Sequence, residues 1–271
     1  MTHTISSGEA PTMSGRTGTA WALAPAVVAR RPASMTGRHP LLRQSARRGA
    51  ELTPFAGHCC GIGRRRFVSP TTGQQVDSGM TRLSVDYTGL VYGLRMPLAR
   101  ADLGAALLDA VAERYEHQVP HCSLLQFVQS GATYLFDLAS AVGAKQEDRT
   151  LAAWAITPAT VSKRDFSYQR GFPLPPDPDG TSVDRGHLIP HLSGGEFGPN
   201  IFRQCRDLNR GWSSQGKRFR ELEREAATTP GTFYFGHLLY EDGIAYPTEI
   251  ETGLLRGETL HVDRFRNPFV R

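Results

Sequence analysis

The chain has 271 residues, 39% of them hydrophobic, enough for one substantial domain or two small ones. Four cysteines without a CxxC pair exclude a disulfide framework, and no apolar run reaches the ~20 residues that cross a bilayer. The net charge of +5 belongs to the N-terminal part, where ten Arg and no Lys face two acids before residue 76; the remainder is slightly acidic, so overall basicity says little about the functional part.

Residues 1–79 are rich in Ser, Thr, Gly, Pro and Arg without sustained hydrophobic periodicity, and are expected to be a disordered leader or to lie upstream of a start nearer Met80. The segment "TAWALAPAVVARR" makes a poor signal-peptide core, being short, broken by Pro25 and preceded only by Arg16 among basic residues. His58, Cys59 and Cys60, taken with His121 and Cys122, are candidate zinc ligands; reduced thiols in a turn and a core are the plainer reading.

Residues 80–149 read as a mainly helical region. In "RADLGAALLDAVAERYEHQ", Leu103, Leu107, Leu108, Val111 and Tyr115 recur at helical spacing and Asp102 stands near the start, which predicts an amphipathic helix. The run "LLQFVQSGATYLFDLASAVGAK" is apolar and ambiguous between buried helix and strand; it is read as helix.

Residues 150–271 read as a second domain. "TLAAWAITPATV" is strand-like up to Pro158, and "PLPPDPDGTS" marks a loop, so that a new element begins at Val183. "RDLNRGWSSQGKRFRELEREAA" is helical in its second half. Arg203 to Arg224 holds seven Lys/Arg against three acids, a solvated face in most proteins that can also serve as a track for a polyanion. "GTFYFGHLLY" and "IAYPTEIETGLL", joined across Asp242-Gly243, predict a hairpin, with Pro247 assigning the second strand to an edge.

The chemistry-bearing residues concentrate in "VDRGHLIPHLSGGEFGPN" and the segment after it. A histidine can accept a proton near neutral pH, which makes His187 a candidate general base. Pro190 argues against a helix joining His187 to His191, so His191 is read as structural or as a phosphate contact. On its own, His187 would be a turn histidine and Asn209 a helix cap.

The order Asp184-Arg185-Gly186-His187, the spacer to Asn200-Ile201, Leu208-Asn209-Arg210-Gly211, then Phe219 with Leu222-Glu223 resembles the DNA/RNA non-specific endonucleases, a branch of the ββα-metal (His-Me finger) nucleases. The resemblance covers Thr150 to Leu255. It implies an α+β fold whose ββα-metal core carries a small antiparallel sheet, here behind the helical region, and hydrolysis of phosphodiester bonds in DNA, RNA or both.

It also implies roles for particular residues. Asn209 would hold Mg²⁺ or a similar divalent cation such as Mn²⁺ that keeps most of its water, with Glu223 a second candidate. His187 would activate the attacking water and Arg185 would offset charge at the phosphate. Asp184 would orient its neighbours, Gly186 would turn the backbone sharply, and Asn200 would hold the loop. Arg206, Arg210, Arg164 and Arg170 are candidate phosphate contacts. Relatives of this kind are secreted nucleases or toxins with a cognate inhibitor (immunity) protein, which implies a soluble protein, secreted or delivered into target cells.

One departure matters. In the family the aromatic residue and the Leu-Glu pair follow the asparagine within about a turn, whereas here "WSSQGK" intervenes. On one unbroken helix the fourteen residues from Asn209 to Glu223 span about 21 Å, too far for a shared ion. Either Ser213 to Gly216 form a loop that restarts the helix, or Trp212 takes the aromatic place and Glu223 has left the site. Otherwise Trp212 and Phe219 read as core rather than as base-stacking platforms. The rival readings are a non-catalytic nucleic-acid-binding descendant and a structural zinc protein.

Overall fold

The computed structural model describes residues 51–54, 85–94, 98–119, 121–139, 143, 147–161, 174, 182–196, 198–241 and 244–268. The described elements belong to one compact unit, and they give an α+β fold with antiparallel sheets. Its centre is a seven-stranded sheet in the order β1 (Glu51–Pro54), β2 (Leu124–Gln129), β3 (Ala132–Asp137), β4 (Arg149–Ile156), β7 (Phe233–Tyr240), β8 (Pro247–Arg256), β9 (Thr259–Arg266). A separate ribbon pairs β5 (Val183–His187) with β6 (Ile201–Cys205).

Helices α1 (Tyr87–Tyr92) and α2 (Arg100–Gln118) cover one face of the sheet. The five apolar residues of the predicted amphipathic stripe on α2 are all buried, and the helix ends before Pro120, which disfavours helical geometry in the residue ahead of it. Trp154 of β4 lies against Gly104 of α2 and stacks on Phe233. Tyr115 donates to the buried carboxylate of Asp137 (2.8 Å) and accepts from Arg149 (2.7 Å). Tyr87 anchors α1 through its hydroxyl to Glu251, which is also 3.0 Å from His237 Nδ1, while Arg264 bridges the buried Glu249 and Glu251.

The opposite face carries the β5–β6 ribbon and two helices, α3 (Arg206–Arg210) and α4 (Ser214–Thr228). Leu188, just past β5, packs where Gly236 of β7 has no side chain; a Cβ there would lie 2.5 Å from Leu188 Cδ1. Thr150 of β4 donates to the Pro199 carbonyl, and Phe219 of α4 meets Phe265 of β9 edge-on at 5.3 Å. These contacts seat the ribbon and α4 on the sheet.

Several expectations are corrected. The run read as helix after Ser123 is the β2–β3 hairpin, turning at Ser130 and Gly131, both at positive φ (53° and 83°). Because β3 is buried on both faces, its sequence lacks the polar alternation that marks a half-exposed strand, and a uniformly apolar run cannot tell strand from helix. The 80–149 region is therefore helix plus hairpin, and β3 pairs with β4 across the boundary at 149/150. Four residues of the expected disordered leader, Glu51–Pro54, form β1 against β2. The "small" sheet has seven strands.

The β7–β8 hairpin is present as read, although Asp242-Gly243 lies outside the described residues. Pro247 does not mark an edge, since β8 runs between β7 and β9; proline is accommodated as the strand's first residue, where a ladder N–H is dispensable. Among the described residues no helix is long and apolar enough to cross a membrane.

The α2–β4 contact yields a sign test. Alanine in place of glycine inside a helix ordinarily gains up to ~1 kcal/mol, but a Cβ on Gly104 would stand 2.3 Å from Trp154 Cε2. Displacing that ring costs about 1–3 kcal/mol. Gly104→Ala is expected to lower the urea midpoint of unfolding; a raised midpoint would show that Trp154 yields freely.

Candidate functional site

The ribbon holds its register from Val183 opposite Cys205 to His187 opposite Ile201. Gly186 lies within extended β5, so the expected sharp turn is corrected. Its missing side chain serves a close approach instead: a Cβ would be 2.1 Å from Gln204 Oε1 across the pair. His187 is thus the last residue of a strand.

The chain then folds back on itself between Leu188 and Asn200. The buried side chain of Asn200 accepts from Ile189 N–H (2.7 Å) and donates to the Ile189 carbonyl (2.8 Å), closing the loop at its base. His191 opens a single 3₁₀ turn directly after Pro190, and its Nδ1 is 3.3 Å from the Gly195 carbonyl.

Asp184, opposite Gln204 in the ribbon, reaches the following helix. It accepts hydrogen bonds from Asn209 Nδ2 (3.0 Å), Arg210 Nε and Nη2 (2.8 and 3.1 Å) and Arg206 Nε (3.3 Å). Burial would raise the carboxyl pKa, but the hydrogen bonds from Arg210 and Asn209, with the positive charge of Arg210, outweigh it and hold Asp184 below the ordinary carboxylate range. The same contact raises Arg210 further. With Nδ2 committed to Asp184, the acceptor Oδ1 is the end of the Asn209 amide available to a cation.

The insertion after Gly211 resolves into a helix break. Gly211 is left-handed (φ 75°), Trp212 N–H returns to the Asp207 carbonyl (2.9 Å), and Ser213 caps α4 by accepting from Gly216 N–H (2.9 Å). At Gly216 a Cβ would stand 2.4 Å from the Asp207 carbonyl oxygen, so α4 passes directly over α3. The helix therefore restarts and folds back, and Glu223 returns to the same cleft as Asn209. Trp212 does not take the core position: it is 61% exposed, whereas Phe219 is buried.

The cleft has a volume of about 630 Å³ and is lined by Arg185, His187, Pro190, His191, Leu192, Asn209, Arg210, Arg220, Glu223, Arg224, Ala227 and Thr228. Among the described residues four arginines and one carboxylate line it, Arg210 being paired with Asp184 and Arg220 with Glu223, so the lining carries a positive excess. The Glu223 carboxylate pairs with Arg220 at 2.7 Å and its side chain is 13% exposed. Arg206 is engaged with Asp184 and is not among the lining residues. Arg164 and Arg170 lie outside the described residues. Arg220 and Arg224 were not singled out as site residues from sequence, yet their spacing of four, bracketing Glu223, is the signal that puts them on one helix face.

For the zinc reading, His58, Cys59 and Cys60 lie outside the described residues, and among the described residues no three His, Cys, Asp or Glu side chains converge. Burial, followed by the Asp137 and Glu116 charges, pushes the Cys122 thiol up to about 11, away from the thiolate that binds zinc.

No protein-family model matches the chain, and no curated protein does. Among solved structures it is similar to the Sda1 nuclease with a bound zinc ion, at 16% identity and a TM-score of 0.29, over 52% of this chain and 71% of that one. A likeness this slight carries neither fold nor activity across to this chain.

The Asp184 hub has a pH signature. A carboxyl whose pKa is lowered in the folded state contributes stability above its unfolded value, near 3.9, and loses it as pH falls through the folded value. Asp184→Asn is expected to cost about 1–3 kcal/mol near neutrality. The gap between wild-type and variant urea midpoints should close as pH is lowered from 6 to below ~3, whereas a constant gap would mean that Asp184 acts through shape alone.

Proposed function

We propose that this protein is a divalent-metal-dependent, sequence-nonspecific endonuclease that hydrolyses phosphodiester bonds of DNA, RNA or both on a ββα core. One observation carries the reading. The unit β5–β6–α3 ends a strand on His187 and pins Asn209 to Asp184, while α4 returns Glu223 to the basic cleft that both residues line.

The donor set suits a hard cation. Asn209 Oδ1 and the Glu223 carboxylate, one oxygen of which accepts from Arg220, place oxygen donors at an open cleft, which fits an ion that keeps several waters, as Mg²⁺ does. When bound, such an ion supplies positive charge at the scissile phosphate. His187 accepts the proton of the attacking water, and its place at a strand end, in register with Ile201, limits the positions of its ring. Arg185, two residues earlier on the same strand and also lining the cleft, neutralises phosphate charge. Asp184 touches no substrate in this scheme: it orients Asn209 and fixes Arg210.

Arg220 and Arg224 extend the positive surface along α4. Contacts of this type act on phosphates and give salt-dependent, sequence-tolerant binding.

Incubating plasmid DNA and total RNA with the protein tests the reading. Cleavage with Mg²⁺, its loss in EDTA, and a drop of roughly 10²- to 10⁴-fold in His187→Ala at unchanged circular dichroism are expected. Asn209→Ala should require more Mg²⁺ for half-maximal rate. Absence of Mg²⁺-dependent cleavage by wild type would end the enzyme reading and leave a nucleic-acid-binding protein.

A further inference from the structure

We infer that Trp212, with Arg210 packed on its ring, is a stacking platform for an unpaired nucleobase at the rim of the cleft, and that it makes the protein favour single strands over duplex. This rests on the nucleic-acid reading of the cleft and adds what the strand ends and carboxylates do not decide: which form of nucleic acid is held.

Trp212 is 61% exposed, although tryptophan is usually well buried. It is not loosely attached. The positive φ of Gly211 and the hydrogen bond from Trp212 N–H to Asp207 fix its backbone, and Ser213 begins the next helix immediately after it. The Arg210 guanidinium stands 5.1 Å from the ring centroid while donating twice to Asp184, so the cation beside the ring is itself anchored. With the Arg210 guanidinium over the ring and most of the side chain exposed, the indole presents aromatic surface to solvent.

The location selects the occupant. Arg210 lines the cleft with His187 and Asn209, so the ring stands one guanidinium away from the proposed reacting centre. A strand whose phosphates lie along Arg185, Arg220 and Arg224 would bring a base to this rim. Every base has a π-face, so stacking is compatible with sequence tolerance. In a duplex those faces are already covered by neighbouring bases. Phosphate contacts are shared by both forms and cannot discriminate between them, whereas a stacking platform can.

The test uses the full chain carrying His187→Ala, to prevent cleavage, with a fluorescein-labelled oligonucleotide as single strand and as duplex. The single strand should bind more tightly. Adding Trp212→Ala should weaken single-strand binding by roughly tenfold, within the range spanned by stacking of one base, and leave duplex binding within about twofold. Trp212→Phe should retain most of the affinity, and tryptophan emission should be quenched by the single strand only when Trp212 is present. Equal losses for both forms, or none, would overturn the platform even if wild type cleaves with Mg²⁺. Conversely, the selective loss without any wild-type cleavage would keep the platform and sink the hydrolase. Matching thermal melts of the Trp212 variants exclude misfolding as the cause.

Discussion

The candidate site hangs on one carboxylate. Asp184 comes from the ribbon, and the groups it holds come from the helix that follows: Asn209, Arg206 and Arg210. Backbone pairing sets the ribbon's internal register but says nothing about where the next helix points. A half-buried carboxylate that accepts from three side chains of that helix does, because leaving it unpaired costs more than a surface ion pair is worth. The same contact decides which end of the Asn209 amide faces the cleft and keeps Arg210 extended beside Trp212. An orienting role and a cleft-facing oxygen are thereby consequences of a single cluster.

The sheet is what this cluster is built on, and its two faces are secured by different physics. On the α1–α2 side, the buried His237, Glu249 and Glu251 join Tyr87 and the more exposed Arg264 in a polar network in which burial, then the Glu251 charge, holds the Tyr87 hydroxyl well above its ordinary pKa. On the cleft side close packing carries more of the joint, with Leu188 in the gap left by Gly236, Phe219 against Phe265 and Gly216 under Asp207, beside the Thr150 hydrogen bond to the Pro199 carbonyl and the Arg218–Asp263 ion pair. The buried acids Glu249 and Glu251 lie on the α1–α2 side, paired with Arg264, and among the described residues Glu223 is the one carboxylate that lines the cleft.

Much of the cleft was legible in sequence because its residues are close in the chain. Asp184 through His187, Asn200 and Asn209 fall within one ribbon and its helix, so their order alone brought them together. What escaped were features set by packing. A strand buried on both faces has no period to read, which is why β3 passed for helix. The role of Gly186 depended on Gln204 across the ribbon, and sequence offers a glycine's freedom but not the neighbour that requires it. Pro247 signalled an edge only if its position within the strand was ignored.

The insertion after Asn209 shows most clearly how a short string changes geometry. As a continuous helix it removes Glu223 by several turns. Yet Gly211 is the residue type that ends helices, and Ser213 is one that starts them, three residues before an amide it can cap. Both signals stand in "RGWSS". A helix that stops and restarts within three residues must change direction, and the absence of a side chain on Gly216 lets the second segment pass close over the first. The fold-back does two things at once: it returns a carboxylate to the cleft and leaves Trp212, at the apex of the reversal, with no core to enter. The insertion that put Glu223 in doubt is the same feature that leaves an aromatic ring exposed beside Arg210.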